Sequence, residues 1–321
     1  MGGRSRLVPG LMEVLHLGKD AVYRRLRGST ALTAEELMKL VEVFGVELPV
    51  NSGGTNLSHL STAGDQGDYA PRQYFLRVIR MLRGKLAERD TRLCVITPEM
   101  PLDYELALPT LRAFKLFTYG TTTWQVPGWR EAVFHPRLIH PELSELAQEF
   151  VTTIFQFPGE QLLSASIFDI TISQLKYLRD VGRLPDTDLI GQIFDELDFI
   201  VNHLEKMAFR GNRYLPGQED QPGLPEFQIF VNEMSSASSM VILESKETRM
   251  LLNVTIKPQF TVSREQKALE HSLSWYAHLL ENGTLLGRAN TTYTSAFFTK
   301  LRRRLTRARN YFRLDSNYNI P

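Results

Sequence analysis

Three short apolar stripes at helical spacing lie within the first 48 residues, and the narrow gap between the first two constrains the fold more than any other feature. The stripes contain Leu11, Val14 and Leu15, then Val22 and Leu26, then Leu37, Leu40, Val41 and Phe44. Apolar residues three or four positions apart share one face of a helix. Only residues 16–18 separate the first two stripes, so the two helices must cross at a tight turn. The pattern therefore predicts a helix-turn-helix followed by a third helix.

The second predicted helix carries polar side chains opposite its apolar stripe. Val22 and Leu26 are directed inward, so the outward positions suit the major groove of DNA. The predicted DNA contacts are Lys19, Asp20, Tyr23, Arg24 and Arg27. Arg25 and Ser29 are candidate phosphate contacts. Spacing alone does not distinguish such a surface from a solvated helix face, because short apolar stripes also occur in any helical bundle.

Three consecutive motifs accompany these stripes: AVYRRLRG at residues 21–28, LTAEELMKL at 32–40 and FGVEL at 44–48. Thr33 and Glu36 have the spacing of a capping box at the start of the third helix. Together the motifs resemble a bacteroidete-type family of transcriptional regulators, which have a phage-repressor-like helix-turn-helix and a long C-terminal domain of unknown ligand. Weaker similarity to this family continues at residues 108–124, 226–234 and 283–305. The resemblance implies binding to double-stranded DNA.

The N-terminal segment departs from the family pattern in three places. His16 replaces a small residue in the turn, and Gly18 replaces the Ser or Thr that usually caps the recognition helix. The family's first helix has no room before Leu7, because Met1–Arg6 has the sequence MGGRSR, which we interpret as a polar leader rather than a helix. We therefore expect that first helix to be missing and the DNA-binding domain to be incomplete at its N-terminus.

Composition limits the remaining choices. Of 321 residues 23% are charged, and the net charge is only +1, so any surface that attracts nucleic acid must be local. No apolar run approaches the roughly 18 residues of a membrane span, so no membrane partner is expected. One cysteine, Cys94, excludes an internal disulfide framework. Together with the lack of an apolar signal segment, it predicts a cytoplasmic location.

The pattern along the chain predicts three regions: the helix-turn-helix at residues 1–49, a flexible linker rich in Gly, Ser, Thr and Asn at 50–71, and a large helical domain at 72–321. Predicted helices of that domain include 73–89, 111–119, 141–155, 160–181, 188–209, 264–281 and 294–312. Apolar residues alternate at 227–231, 240–244 and 250–254, which predicts a small three-stranded antiparallel sheet. The expected fold is mainly α, within the α+β class.

The chain offers little sign of catalysis. It has no glycine-rich phosphate loop, no paired-cysteine motif and no HExxH motif. His271 and His278 are too far apart on one helix to bind a metal without further ligands. Asp195, Glu196 and Asp198 suit a solvated face better than paired catalytic carboxylates. We therefore predict no enzyme, no catalytic residues, no metal and no cofactor.

Two further features each allow two interpretations. The first is a basic cluster without an interrupting acid, consisting of Lys300, Arg302, Arg303, Arg304, Arg307, Arg309 and Arg313. It is either the outer face of a terminal helix that buries Leu301, Leu305 and Phe312, or a phosphate-binding surface. The second is the aromatic segment 114–119, with Trp124 and Trp129 nearby, which is either core or the lining of a ligand pocket.

These observations predict a cytoplasmic bacterial transcriptional regulator that binds specific DNA sequences. Its C-terminal domain would sense a small-molecule or protein effector, or mediate dimerisation. A homodimer is expected because one short recognition helix contacts few bases, and two half-sites multiply specificity. The alternative is a scaffold or protein-interaction protein whose helix-turn-helix no longer binds DNA.

Overall fold

The computed structural model describes residues 4–33, 36, 39–40, 57–59, 70–219, 221–234 and 238–316. The chain divides into two compact units, residues 1–56 and residues 57–321. Most of the predicted linker and most of the third apolar stripe lie outside the described residues. Leu57–His59, which fall within the predicted linker, form a strand of the second unit.

In the first unit, two helices occur where the first two stripes predict them. Helix α1 spans Arg4–Leu15 and helix α2 spans Lys19–Leu26. The turn closes as a Schellman-type motif, in which the Leu17 N–H donates to the Met12 carbonyl at 3.2 Å. His16 has a φ of 52°, in the left-handed region that glycine adopts at a lower steric cost than other residues.

The interpretation of residues 1–6 as a polar leader is wrong from Arg4 onward, because α1 begins there and extends through Pro9. Pro9 is the sixth residue of α1, so it removes one helical hydrogen bond, the one that an N–H at this position would donate to the Ser5 carbonyl. The residues before Leu7 have no apolar periodicity. The helix therefore begins about two turns before Leu11, the first residue of its apolar stripe.

The second unit is built on one eight-stranded mixed sheet. Its strands are β1 (Leu57–His59), β2 (Arg92–Ile96), β3 (Gly159–Leu163), β4 (Phe227–Val231), β5 (Met240–Glu244), β6 (Arg249–Ile256), β7 (Gln259–Ser263) and β8 (Thr284–Leu285). The order across the sheet is β1-β7-β6-β5-β2-β3-β4-β8. β2, β3 and β4 are parallel, and the remaining pairs are antiparallel.

The predicted small three-stranded antiparallel sheet is therefore wrong. β5 and β6 do pair as expected, but their next neighbour in the meander is β7, and β4 is separated from β5 by the inserted β2 and β3. β3 occupies the beginning of a segment that was predicted to be helical. The sequence of β3, GEQLL, has two polar residues and no apolar alternation, so it contains no strand pattern that distinguishes it from the start of a helix.

Eight helices accompany the sheet in the described part of this unit. They are α3 (Ala70–Leu86), α4 (Leu102–Glu105), α5 (Pro109–Thr122), α6 (Pro141–Ile154), α7 (Asp169–Asp180), α8 (Thr187–Arg210), α9 (Gln266–Glu281) and α10 (Thr291–Ser316). Alternate residues of β2 show that helices pack on both faces of the sheet. Leu93 and Val95 join the main core, whereas Cys94 and Ile96 join a smaller cluster that includes Leu269 of α9. Both faces of the sheet are thus covered.

Local chemistry sets several of these boundaries. The Asp186 carboxylate accepts the N–H groups of Asp188 and Leu189 at the start of α8, and Gly211, with a φ of 73°, follows the last residue of that helix. β3 begins at Gly159 with a φ of 152°, and a Cβ there would overlap the Leu93 carbonyl oxygen. Glycine therefore permits β2 and β3 to pair at this point.

Candidate nucleic-acid interface

Helix α2 separates one buried side chain from a basic, exposed face. Val22 is 1% exposed, whereas every predicted DNA contact is solvent-exposed, namely Lys19, Asp20, Tyr23, Arg24 and Arg27. We call these five residues the α2 face. Three positive charges and one negative charge give it a net charge of +2. Within the described part of the chain, no carboxylate forms an ion pair with Lys19, Arg24 or Arg27.

Leu26 does not share the buried position of Val22. Its side chain is 50% exposed, so its prediction as an inward residue is wrong. Leu26 is the last residue of α2, an eight-residue helix. An apolar i,i+4 pair indicates a shared face, but it does not indicate how far the neighbouring helix extends to cover that face.

Arg25 has a partner that the sequence reasoning did not assign. Its Nε and Nη2 atoms donate to the two Glu36 carboxylate oxygens at 2.9 and 2.7 Å. The same carboxylate accepts the Thr33 N–H at 3.0 Å, and the Glu36 N–H donates to Thr33 Oγ1 at 3.2 Å. The predicted capping box is thus confirmed. Hydrogen bonds from Arg25 and from the Thr33 backbone lower the pKa of Glu36.

This fork-shaped pair connects α2 to the start of the segment that follows it. Arg25 was considered as a phosphate contact, but its guanidinium is engaged within the unit. Ser29, the other such candidate, is exposed just after α2, and its N–H donates to the Arg24 carbonyl at 2.9 Å. The Arg25–Glu36 pair therefore supports the helix from which Arg24 and Arg27 project.

The basic cluster of the second unit is arranged differently. Leu301, Leu305 and Phe312 are buried as predicted. Four of its cations pair with acids from other elements: Lys300 with Glu233, Arg302 with Glu205, Arg304 with Asp169, and Arg309 with Asp195 and Asp198. Arg303 and Arg307 are exposed and form no ion pair within the described residues, and the side chain of Arg313 lies outside them.

The acidic residues that were examined as catalytic candidates have structural partners. Asp195 and Asp198 face Arg309, at 2.7 and 3.1 Å. The Glu196 carboxylate accepts the Thr110 and Leu111 N–H groups at 3.0 and 2.6 Å. It thereby caps α5, whose own preceding residue offers no side-chain cap.

The aromatic segment on α5 belongs to the core. Phe114, Phe117 and Trp124 are fully buried. The rings of Phe114 and Phe117 lie 5.6 and 5.3 Å from that of Phe134, at angles typical of packed aromatic pairs. These rings fill space between helices and do not form the lining of a pocket.

One buried ionic cluster was not predicted. Lys115 Nζ lies 2.9 Å from Glu105 Oε1, with each side chain 1% exposed, and Glu105 also accepts from Tyr119 and Lys257. Desolvation alone would raise the pKa of Glu105, but the ammonium groups of Lys115 and Lys257 hold it below its usual value. One feature of the sequence could have indicated this cluster: Lys115 lies between Phe114 and Leu116 in an otherwise apolar run.

The described residues contain no group of three or more His, Cys, Asp or Glu side chains that could hold a metal ion. Among the helices described, none is both long and apolar enough to cross a membrane. Comparison of the chain with protein-family models and with curated proteins finds no match.

Proposed function

We propose that this protein is a cytoplasmic bacterial transcriptional regulator that binds double-stranded DNA through the α2 face. The observation that carries the proposal is a short helix, behind a turn of helix-turn-helix type, at which Lys19, Arg24 and Arg27 are exposed and form no ion pair with a described acid. An α-helix of this kind fits the major groove, where arginine binds guanine O6 and N7 through two hydrogen bonds. Tyr23 and Asp20 add hydrogen-bonding groups on the same side.

Two details favour DNA over a merely solvated surface. Arg25, the one arginine of α2 that is directed toward the protein, is held by Glu36, while Arg24 and Arg27 remain available. The net charge of the whole chain is +1, so the net charge of +2 on the α2 face is a local concentration of charge. Local positive charge attracts phosphates, and a rigid helix gives it a defined position.

We further propose that the protein acts as a homodimer and that residues 57–321 carry the effector or dimerisation function. One helix of this length contacts few base pairs, and two copies on adjacent half-sites would supply the missing specificity. The competing candidate is a protein-interaction role, which the exposed Leu26 and the 40%-exposed Tyr23 favour, since apolar and aromatic side chains are common at protein interfaces.

The test is selection of binding sites from random double-stranded DNA with the full chain, followed by titration of the selected sequence. Arg24→Ala should weaken binding by about 1–3 kcal/mol, with loss of preference at one base position. Arg130→Ala, which removes an exposed arginine from the other unit, is the control for charge alone and should change binding little. Failure to enrich any sequence, or equal losses for the two variants, would favour the protein-interaction role.

A further inference from the structure

The second unit contains an apolar cavity of about 100 Å³ between the sheet and helices α3 and α6. Its walls come from β2, β5, β6 and β7 on one side and from the helices on the other. Residues that represent each wall are Val78, Val95, Phe150, Leu252, Val254 and Phe260. Val254, like Met81 and Leu102, is only partly buried, so the cavity is reached from the protein surface at these residues.

The charged groups on the wall are already compensated. Lys257 Nζ donates to the Met100 carbonyl and lies 3.2 Å from Glu99 and 3.3 Å from Glu105, which accounts for its three protons. The carboxylates of Glu99 and Glu105 balance the ammonium groups of Lys257 and Lys115. The remaining acid, Asp103, is paired with the buried Arg213. A charged ligand would therefore be desolvated here without a counter-ion, which is costly.

The hydroxyl groups on the wall already donate their protons to protein acceptors, but their oxygens can still accept a hydrogen bond. Thr97 Oγ1 donates to the Glu99 carbonyl at 2.9 Å, so the 3.0 Å contact between Thr97 and Ser239 requires Ser239 to be the donor. Tyr74 donates to the Pro258 carbonyl at 2.7 Å. Ser239 is only partly buried, and its oxygen offers lone pairs alone. A ligand that brings its own proton donor can bind there, whereas one that brings only an acceptor cannot.

We infer that this cavity binds a small, uncharged, apolar molecule that carries one hydrogen-bond donor, of the alcohol or phenol class, with the donor directed to Ser239 Oγ. The cavity is smaller than an engineered apolar cavity of about 150 Å³ that binds benzene in another protein, so a ligand with a single ring is the largest that suits it, with part of the ring extending toward the open side. The inference does not depend on DNA binding by residues 1–56. It assigns a ligand site to the unit for which we propose an effector function.

The experiment is calorimetric titration of the full chain with phenol, toluene and benzoate at neutral pH. Phenol should bind about fivefold more tightly than toluene, as one neutral hydrogen bond provides. Benzoate should not bind detectably. Ser239→Ala should remove the preference for phenol and leave toluene binding unchanged. Absence of phenol binding, binding of benzoate as tight as that of phenol, or an unchanged preference in Ser239→Ala would overturn the inference.

A second variant locates the site. Val254→Phe places a ring in the cavity and should reduce phenol affinity at least tenfold, whereas Val181→Phe adds the same ring at a position that is 47% exposed and should leave it unchanged. Circular dichroism establishes that each variant is folded. Equal phenol affinity in a folded Val254→Phe would place binding elsewhere. If that variant does not fold, the Ser239→Ala comparison of phenol with toluene decides alone.

Discussion

Helices α2 and α10 both carry several basic residues, but they differ in whether those residues form ion pairs within their own unit. On α10, Lys300, Arg302, Arg304 and Arg309 each face an acid from another element of the same unit. On α2 only Arg25 does so, and Lys19, Arg24 and Arg27 have no ion pair within the described residues. A run of basic residues therefore indicates a binding surface only where the fold leaves those residues without internal partners.

The difference separates two roles of charge. A cation with an internal acid contributes to the stability of its own unit, and its removal should appear in unfolding measurements. A cation without such a partner contributes little to stability, and where it lies on the proposed DNA-binding face its removal should appear in binding measurements. Substitutions that remove one cation at a time distinguish the two roles.

The largest effect is expected where the cation is both paired and fully buried. Lys115→Met leaves the buried Glu105 with less compensation and should lower the free energy of unfolding by about 3–5 kcal/mol, measured by urea denaturation. Lys206→Met makes the same change at an exposed position of α8 and should cost less than about 0.5 kcal/mol. Equal costs would show that burial of the pair adds nothing to the stability of this unit.

The second prediction compares Arg27→Ala on α2 with Arg303→Ala on α10. Each variant removes one exposed arginine. If Arg27 contacts a phosphate, its loss should reduce the slope of log affinity against log salt concentration by about 1, while Arg303→Ala leaves the slope unchanged. Fluorescence anisotropy with the selected DNA measures both slopes. A reduced slope in Arg303→Ala would instead make α10 a second phosphate-binding surface, which is the sharper interpretation of its basic cluster.

A third prediction lies within α10 itself. Arg309 bridges Asp195 and Asp198 and lies 5.7 Å from the centre of the Phe194 ring, so Arg309→Ala should cost about 1 kcal/mol of stability. Arg303→Ala on the same helix should cost less than about 0.5 kcal/mol. Thermal unfolding of the two variants gives the comparison. If Arg303→Ala proves the more destabilising of the two, pairing is not what distinguishes these arginines.

The smallest effect concerns Arg25 and pH. Arg25 lowers the pKa of Glu36 in the folded chain, so this contribution is fully present above the unfolded carboxylate pKa of about 4.3. It is lost as pH falls through the lower, folded pKa. The difference in stability between the native chain and Arg25→Ala should therefore be largest near neutral pH and shrink below about pH 4, as measured by thermal unfolding. A difference that is independent of pH would mean that packing, rather than the charge pair, is what Arg25 provides.

Several features of the fold were predictable because nearby residues determine them. The pair of helices around residues 16–18, the capping box of Thr33 and Glu36, and the burial of Leu301 and Leu305 all follow from spacing of a few residues. In each case the interacting groups lie within a few positions of one another along the chain.

Other features depended on partners that are distant in sequence. β3 pairs with β2 across more than 60 residues, and nothing in its own sequence distinguishes it from the start of a helix. The exposure of Leu26 depends on what covers the end of α2 rather than on its spacing from Val22. The sequence around Glu196 does not distinguish it from Asp195 and Asp198, because its partners, the N–H groups at the start of α5, lie far from it in sequence.

Local sequence was sufficient to predict the α2 helix and the exposure of the residues on the α2 face, because periodicity sets which side of a helix avoids water. Three features became apparent only in the folded structure: the order of the eight strands, the compensation of Lys115 by Glu105, and the internal pairing that distinguishes α10 from α2. Charge pairs and strand neighbours form between residues far apart in the chain. Their energies depend on distance and burial in space, which no local pattern specifies.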